Sequence, residues 1–166
     1  MNQSFQGQWE QRWHPLRQEW VVYSAHRNTR PWSGASVAQA AESPSYDPKC
    51  YLCPGNLRAQ GKKNPQYQGV YIFDNDFPVV GDDAPLVETT VPGAHSALFQ
   101  RKRADGIARV VCYDPRHNVH LAQIACRQVA QVFLAWREQT IELTANPAIR
   151  FVLIFENRGE IVGVSN

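Results

Sequence analysis

Cys50-Tyr51-Leu52-Cys53-Pro54-Gly55-Asn56 is the stretch around which the rest of the chain is organised. Two cysteines three apart place two thiolates on one tight turn, and that bite suits a tetrahedral zinc, which takes soft sulfur and imidazole ligands. Redox pairs share the spacing. Pro54-Gly55 behind the second cysteine belongs to a knuckle turn, whereas a redox CxxC usually opens a helix. A histidine then stands at the end of Arg109-Val110-Val111-Cys112-Tyr113-Asp114-Pro115-Arg116-His117. Zinc on Cys50, Cys53 and His117 is the preferred reading, with a redox pair or two unbonded thiols as alternatives. A structural site takes four ligands. The fourth here is Cys112, His120 or a group outside this sequence.

Around this turn, 166 residues suit one ordinary domain with a real core. Aromatics at 11% and charge at 19% exclude a disordered chain and a coiled coil. A net charge of +2 is too small to argue for nucleic acid. Four cysteines, two of them close together, favour a metal site over a disulfide scaffold. The polar N-terminus carries no signal-peptide pattern. No apolar run approaches the ~20 residues of a membrane helix. The expectation is a cytoplasmic protein with neither a membrane nor a nucleic-acid partner.

Upstream, Trp9 to Leu16 is polar with spaced tryptophans, and Glu19 to Ser24 is β-branched and aromatic, as a strand is. It runs into Ala25-His26-Arg27-Asn28-Thr29-Arg30-Pro31-Trp32. This is either a solvated turn with Trp32 in the core, or a pair of guanidinium forks for phosphate. Residues 33–48 read as a loop. Downstream, Gly69 to Phe73 is a strand ending in Asp74-Asn75-Asp76, and polar strand ends are both turn chemistry and ligand positions. Residues 79–93 form an acidic, Pro/Gly-broken loop. Gln100-Arg101-Lys102-Arg103 reads as a solvated hairpin tip rather than a nucleic-acid patch, because no stacking aromatics interleave. Arg109 to Tyr113 is a third strand.

His120 to Asn146 has the spacing of one long helix, with Leu121, Ala125, Val129, Val132, Trp136 and Leu143 on one face. Cys126 within it reads as a small packing residue, and Asn146-Pro147 stops it. Pro147 to Phe155 reads as a strand. Residues 156–166 hold glycines, a serine and two asparagines, which suit either a phosphate-facing loop or a plain hairpin. The order predicts an α+β fold, with an antiparallel sheet and the helix on one face.

Seven motifs in sequence order carry a resemblance that covers the chain from about His14 to Asn166. They are Ser24-x-His26-Arg27-x-x-Arg30-Pro31-Trp32, Cys50-x-x-Cys53-x-Gly55-Asn56-x-Arg58, Lys63-Asn64-Pro65, Tyr71-x-Phe73-x-Asn75-Asp76-Phe77, Arg109-Val110-x-Cys112-Tyr113-x-Pro115-x-His117, Trp136-x-x-Gln139-Thr140 and Phe155-Glu156-Asn157-x-Gly159. The chain resembles the N-terminal half of the galactose-1-phosphate uridylyltransferases. The resemblance implies a histidine-triad-like fold, a zinc knuckle and a homodimer. It also implies UMP transfer from UDP-glucose to galactose-1-phosphate through a uridylyl-histidine. Carried over residue by residue, Cys50, Cys53 and His117 match zinc ligands. Arg27, Asn28, Thr29 and Arg30 match positions that meet the nucleotide sugar. Ala59, Asn75 and Asp76 match further substrate contacts. Asn157, Gly163, Val164 and Ser165 match the loop that holds the phosphates.

In the family, the motif His-Pro-His-Gly-Gln follows that loop, its first histidine completing the zinc site and its second acting as nucleophile. This sequence ends at Asn166 and contains neither, so no catalytic residue is assigned within 1–166. The expectation is one incomplete N-terminal domain without the second half. The alternative is a non-catalytic, zinc-stabilised module that binds a nucleotide sugar or a partner chain.

Overall fold

A computed structural model describes residues 9–29, 44–88 and 95–157. The chain divides into two compact units, Met1–Arg30 with Phe77–Arg109, and Pro31–Asp76 with Val110–Asn166.

The first unit is built on strand β1 (Trp9–His14), which pairs antiparallel with β2 (Glu19–Ser24) on one side and β4 (Arg101–Arg103) on the other. The stretch 9–16, read only as polar with spaced tryptophans, thus supplies the central strand. Its alternation explains why, since successive side chains on a strand face opposite ways. Trp9, Gln11 and Trp13 share one face. Trp13 lies directly opposite Trp20, ring centroids 5.6 Å apart, and the Lys102 ammonium stands 4.1 Å from the Trp20 ring. The other face carries Glu10, which is buried between Arg12 (2.6 Å) and Arg101 (3.7 Å), while Arg12 covers Tyr23.

The basic run 101–103 is therefore a strand and not a solvated hairpin tip. Each cation has a partner at hand: Glu10 for Arg101, Trp20 for Lys102, and Asp105 with the carbonyls of Ala84 and Asp82 for Arg103. Cross-strand charge and aromatic pairs of this kind are what stabilise a sheet.

The second unit carries β3 (Tyr71–Asp74), paired with β5 (Arg109–Cys112), and helix α1 (Cys126–Thr144). The sequence placed the helix start at His120. Instead Leu121–Gln123 make a single 3-10 turn, and extended backbone at Ile124 and Ala125 separates it from α1. Gln123 accepts a hydrogen bond from the His120 backbone at that turn (3.2 Å), which diverts the chain from a continuous helix. Along α1 the expected face is the covered one. Val132 is buried and Val129, Trp136 and Leu143 are half-buried, whereas Phe133, Leu134 and Ile141 are exposed. Cys126 is exposed at the first turn, which corrects its reading as a packing residue. Gln128 Nε2 donates to the Tyr113 carbonyl (2.7 Å), tying α1 to the chain just after β5.

No strand forms over Pro147 to Phe155, against expectation. The segment has the composition of a strand, yet a strand exists only through its ladder partner, and no described segment provides one. Phe151, Leu153 and Phe155 are exposed. No described helix is long and apolar enough to cross a membrane. Residues 33–43 of the expected loop, and Trp32, lie outside the described residues.

Gly81 gives a direct test of the first unit. A Cβ there would come 2.5 Å from the Trp9 ring, which is held in place by its Nε1–H donating to the Val79 carbonyl (2.9 Å). Gly81→Ala is expected to lower stability by about 1–3 kcal/mol, the usual cost of overpacking. Chemical denaturation checks it, and an unchanged midpoint would show that the indole yields.

Candidate functional site

The second unit gathers Cys50, Cys53 and His117, although 64 residues separate the last two. Their ligand atoms lie within 4.8 Å of one another, and both cysteines are buried. Cys53 Sγ and His117 Nδ1 are 3.6 Å apart. A tetrahedron with metal–sulfur and metal–nitrogen bonds of ~2.3 and ~2.05 Å has an S–N edge of about 3.6 Å. The donor set and its spacing therefore fit a tetrahedral metal ion. Cys112 and His120, the two local residues offered for a fourth position, stand outside this cluster.

The turn that carries the cysteines is held from behind by side chains. Asn56 Nδ2 donates to the carbonyl of Cys50 (2.8 Å), and Asn64 Nδ2 to those of Tyr51 (3.0 Å) and Cys53 (3.1 Å). The Tyr67 hydroxyl donates to the Leu52 carbonyl (2.8 Å). All four carbonyls from Cys50 to Cys53 thus accept a side-chain hydrogen bond. On the amide side, Cys50 N–H donates to the Asp47 carbonyl (3.1 Å) and Leu52 N–H to Cys50 Sγ (3.4 Å). Gly55 at φ +76° closes the turn, and a Cβ there would collide with the Gln66 carboxamide. On the histidine side, Asp114 accepts three hydrogen bonds from Arg116, and His117 N–H donates to the Ser45 carbonyl (2.8 Å). The Arg116 hydrogen bonds hold the Asp114 carboxyl below the usual range.

Burial pushes the Cys53 thiol up, and it pushes Cys112 up to about 11. Burial likewise raises Tyr67, which stays a donor. Cys112 stands beside the knuckle, outside the three-residue cluster. Asn56, Asn64 and Tyr67 were given no role from sequence. A buried carboxamide must find partners, but which carbonyls it reaches is fixed only by folding.

Beyond the knuckle, residues 57–63 form a short hairpin, with Leu57 bridged to Lys63 and Arg58 N–H donating to the Lys62 carbonyl (2.7 Å). Ala59 is exposed at its tip. Arg58 is buried, its Nη2 3.4 Å from Asp76 Oδ1 and its guanidinium 4.2 Å from the centre of the Phe73 ring. Gln60 Nε2 donates to the Asp76 carbonyl. The hairpin is thereby joined to Asp76, just past the end of β3, through the residues on either side of Ala59.

In the first unit, Arg27, Asn28 and Thr29 lie on a 3-10 turn, Ala25–Thr29. Thr29 Oγ1 donates to the His26 carbonyl (2.8 Å). His26 Nε2 lies 3.0 Å from the Pro78 carbonyl, and its ring packs 4.4 Å from Trp9. Arg27 is half-buried on this anchored turn. Asn157 is exposed and belongs to no element, and Arg30, Gly163, Val164 and Ser165 lie outside the described residues.

A model of the galactose-1-phosphate uridyl transferase N-terminal domain matches residues 3–166. The galactose-1-phosphate uridylyltransferase of Haemophilus influenzae is 40% identical over 156 residues, covering 93% of this chain and 43% of that protein. The enzyme of Rattus norvegicus is 42% identical over 156 residues, covering 93% and 40%. A solved uridylyltransferase structure superposes with a TM-score of 0.66 at 23% identity, covering 94% of this chain and 42% of that one, a likeness of fold. The chain spans less than half the length of these relatives. Matched along nearly all of its residues, it belongs to the galactose-1-phosphate uridyl transferase family, as an N-terminal domain of that family.

Proposed function

We propose that the chain is the N-terminal part of a UDP-glucose–hexose-1-phosphate uridylyltransferase of galactose metabolism. In the reaction, an imidazole nitrogen attacks the α-phosphorus of UDP-glucose. A P–N bond forms, the P–O bond to glucose-1-phosphate breaks, and the leaving group departs with the electron pair. A phosphate oxygen of galactose-1-phosphate then attacks the same phosphorus, breaking the P–N bond and releasing UDP-galactose. Splitting one displacement into two requires a nucleophile and donors that neutralise the developing charge. The resemblance assigns the nucleophile to a His-Pro-His-Gly-Gln motif that this sequence does not contain. The roles left to this chain are the metal knuckle and substrate contacts.

One observation supports this reading most. Asp76, which the resemblance assigns to the substrate next to Asn75, is tied to both chain neighbours of Ala59, by an ion pair with Arg58 and a hydrogen bond from the Gln60 side chain to its carbonyl. Arg27 to Arg30, with Asn157, Gly163, Val164 and Ser165, are the remaining proposed contacts. Zinc is the proposed ion on Cys50, Cys53 and His117, as a structural ion that locks the knuckle. A histidine-triad-like fold, a homodimer and a cytoplasmic location complete the reading.

The full-length protein is expected to hold zinc at this site, measured by elemental analysis of wild type and variants. Cys50→Ser or Cys53→Ser should abolish it. Asn64→Ala, which frees two carbonyls of the turn, should lower affinity roughly 10- to 100-fold, the range for lost outer-shell partners. Acid should release the ion, because ligand thiolates and imidazole must be deprotonated. Undiminished metal in both serine variants would assign the cysteines to another role.

Arg27→Ala in the full-length enzyme is expected to cost a few kcal/mol of transition-state stabilisation, the scale for a lost charged donor. Lysine should restore only part of it, since the bidentate fork is gone. Steady-state kinetics with UDP-glucose decides: unchanged kcat and KM would leave Arg27 a turn residue.

A further inference from the structure

Arg58 has a feature that the knuckle and the proposed contacts do not explain. Its side chain is only 7% exposed, and Nε and Nη1 are buried without a hydrogen-bond partner. A guanidinium brought out of water is costly unless it is paired. Its neighbours are the Asp76 carboxylate, 9% exposed and 3.4 Å from Nη2, and the face of Phe73 at 4.2 Å. A ring face attracts a cation, and here it takes up the flank of the fork that has no acceptor. The unpartnered nitrogens are enclosed by protein, so a ligand cannot reach them. Arg58 therefore acts through what it holds.

What it holds is one side of Asp76. A carboxylate has two oxygens with about four acceptor sites, and the Arg58 contact, 3.4 Å from Nη2, is at Oδ1. Gln60 from the same hairpin fixes the Asp76 carbonyl. Phe73, two residues before Asn75, is the surface on which the guanidinium rests. One side chain thus sets the rotamer of Asp76 and the distance between the hairpin tip and the end of β3.

We infer that Arg58 is a positioning residue for uridylyl-group binding, holding Asp76 through Oδ1 so that the remaining acceptor sites of its carboxylate meet hydroxyl or imide N–H donors of the nucleoside. The inference rests on the reading that Asp76 contacts the substrate, and it adds the residue that makes the contact specific.

The test is a double-mutant cycle in the full-length protein, with UMP as the probe and binding measured by calorimetry. Metal content and thermal midpoint are followed in every variant. Arg58→Gln and Asp76→Asn are each expected to weaken UMP binding about tenfold or more, the scale of a lost charge-assisted hydrogen bond. The double variant should be no weaker than the weaker single one, because both remove the same contact. Arg58→Lys should recover part of the affinity, since the charge stays and the planar fork is lost. If Arg58→Gln does not fold, Arg58→Lys carries the cycle and is judged by the same coupling. A wholly structural role would move the midpoint and leave the two effects additive. Additive effects, or an Arg58 variant that binds UMP as well as wild type, overturn the inference and leave the functional reading standing. Wild type that does not bind UMP, or an Asp76→Asn variant that binds it normally, overturns both.

Discussion

Four successive carbonyls, from Cys50 to Cys53, each accept a hydrogen bond from a side chain, and the second unit depends on that constraint. A turn whose carbonyls are all engaged on one side has one conformation left. Both thiols then face the same point, and His117 completes a three-donor cup only because that point is fixed. The donors are two carboxamides and a phenol, groups that do not change charge near neutral pH. The scaffold of the turn is therefore indifferent to the protonation that governs its ligands.

The same scaffold serves its neighbours. Asn56 and Asn64 flank the 57–63 hairpin, and Asn64 N–H donates to the Asn56 carbonyl (2.9 Å). The base of the hairpin is thus the back of the knuckle, and its tip reaches the end of β3 through Arg58 and Gln60. Within this unit, candidate metal ligands and proposed substrate contacts are two ends of one short piece of chain. Whether or not the cluster is filled would be felt at Asp76 without any long path between them.

Much of this was legible in the sequence, for physical reasons that differ by residue. Cys50 and Cys53 declare themselves because ligand chemistry allows few residue types and few spacings. Strands β2, β3 and β5 show as β-branched or aromatic runs. Strand β1 did not, because its polar residues gain partners that only the sheet supplies: Arg101 for Glu10, the Arg103 carbonyl for Gln11 and the Tyr23 ring for Arg12. The run 101–103 misled for the same reason: three cations suggest solvent until Glu10 and Trp20 are brought beside them. The segment 147–155 shows the reverse, a composition fit for a strand with no described partner to make it one. Arg58 and Asp76, 18 residues apart, each stand in a resembling motif, but no spacing rule pairs an arginine after a knuckle with an aspartate after a strand.

The tryptophans are unevenly shared, and this has a spectroscopic consequence. Trp9, Trp13 and Trp20 all lie in the first unit, two of them in direct ring contact, while the knuckle is surrounded by Tyr46, Tyr51 and Tyr67. Emission from the described indoles therefore weighs the three-stranded sheet, with Trp136 the one described indole of the second unit. An ion could leave Cys50, Cys53 and His117 while the three sheet indoles scarcely responded. Phenol absorbance, or the ultraviolet thiolate-to-metal band, is the optical window on that half of the chain.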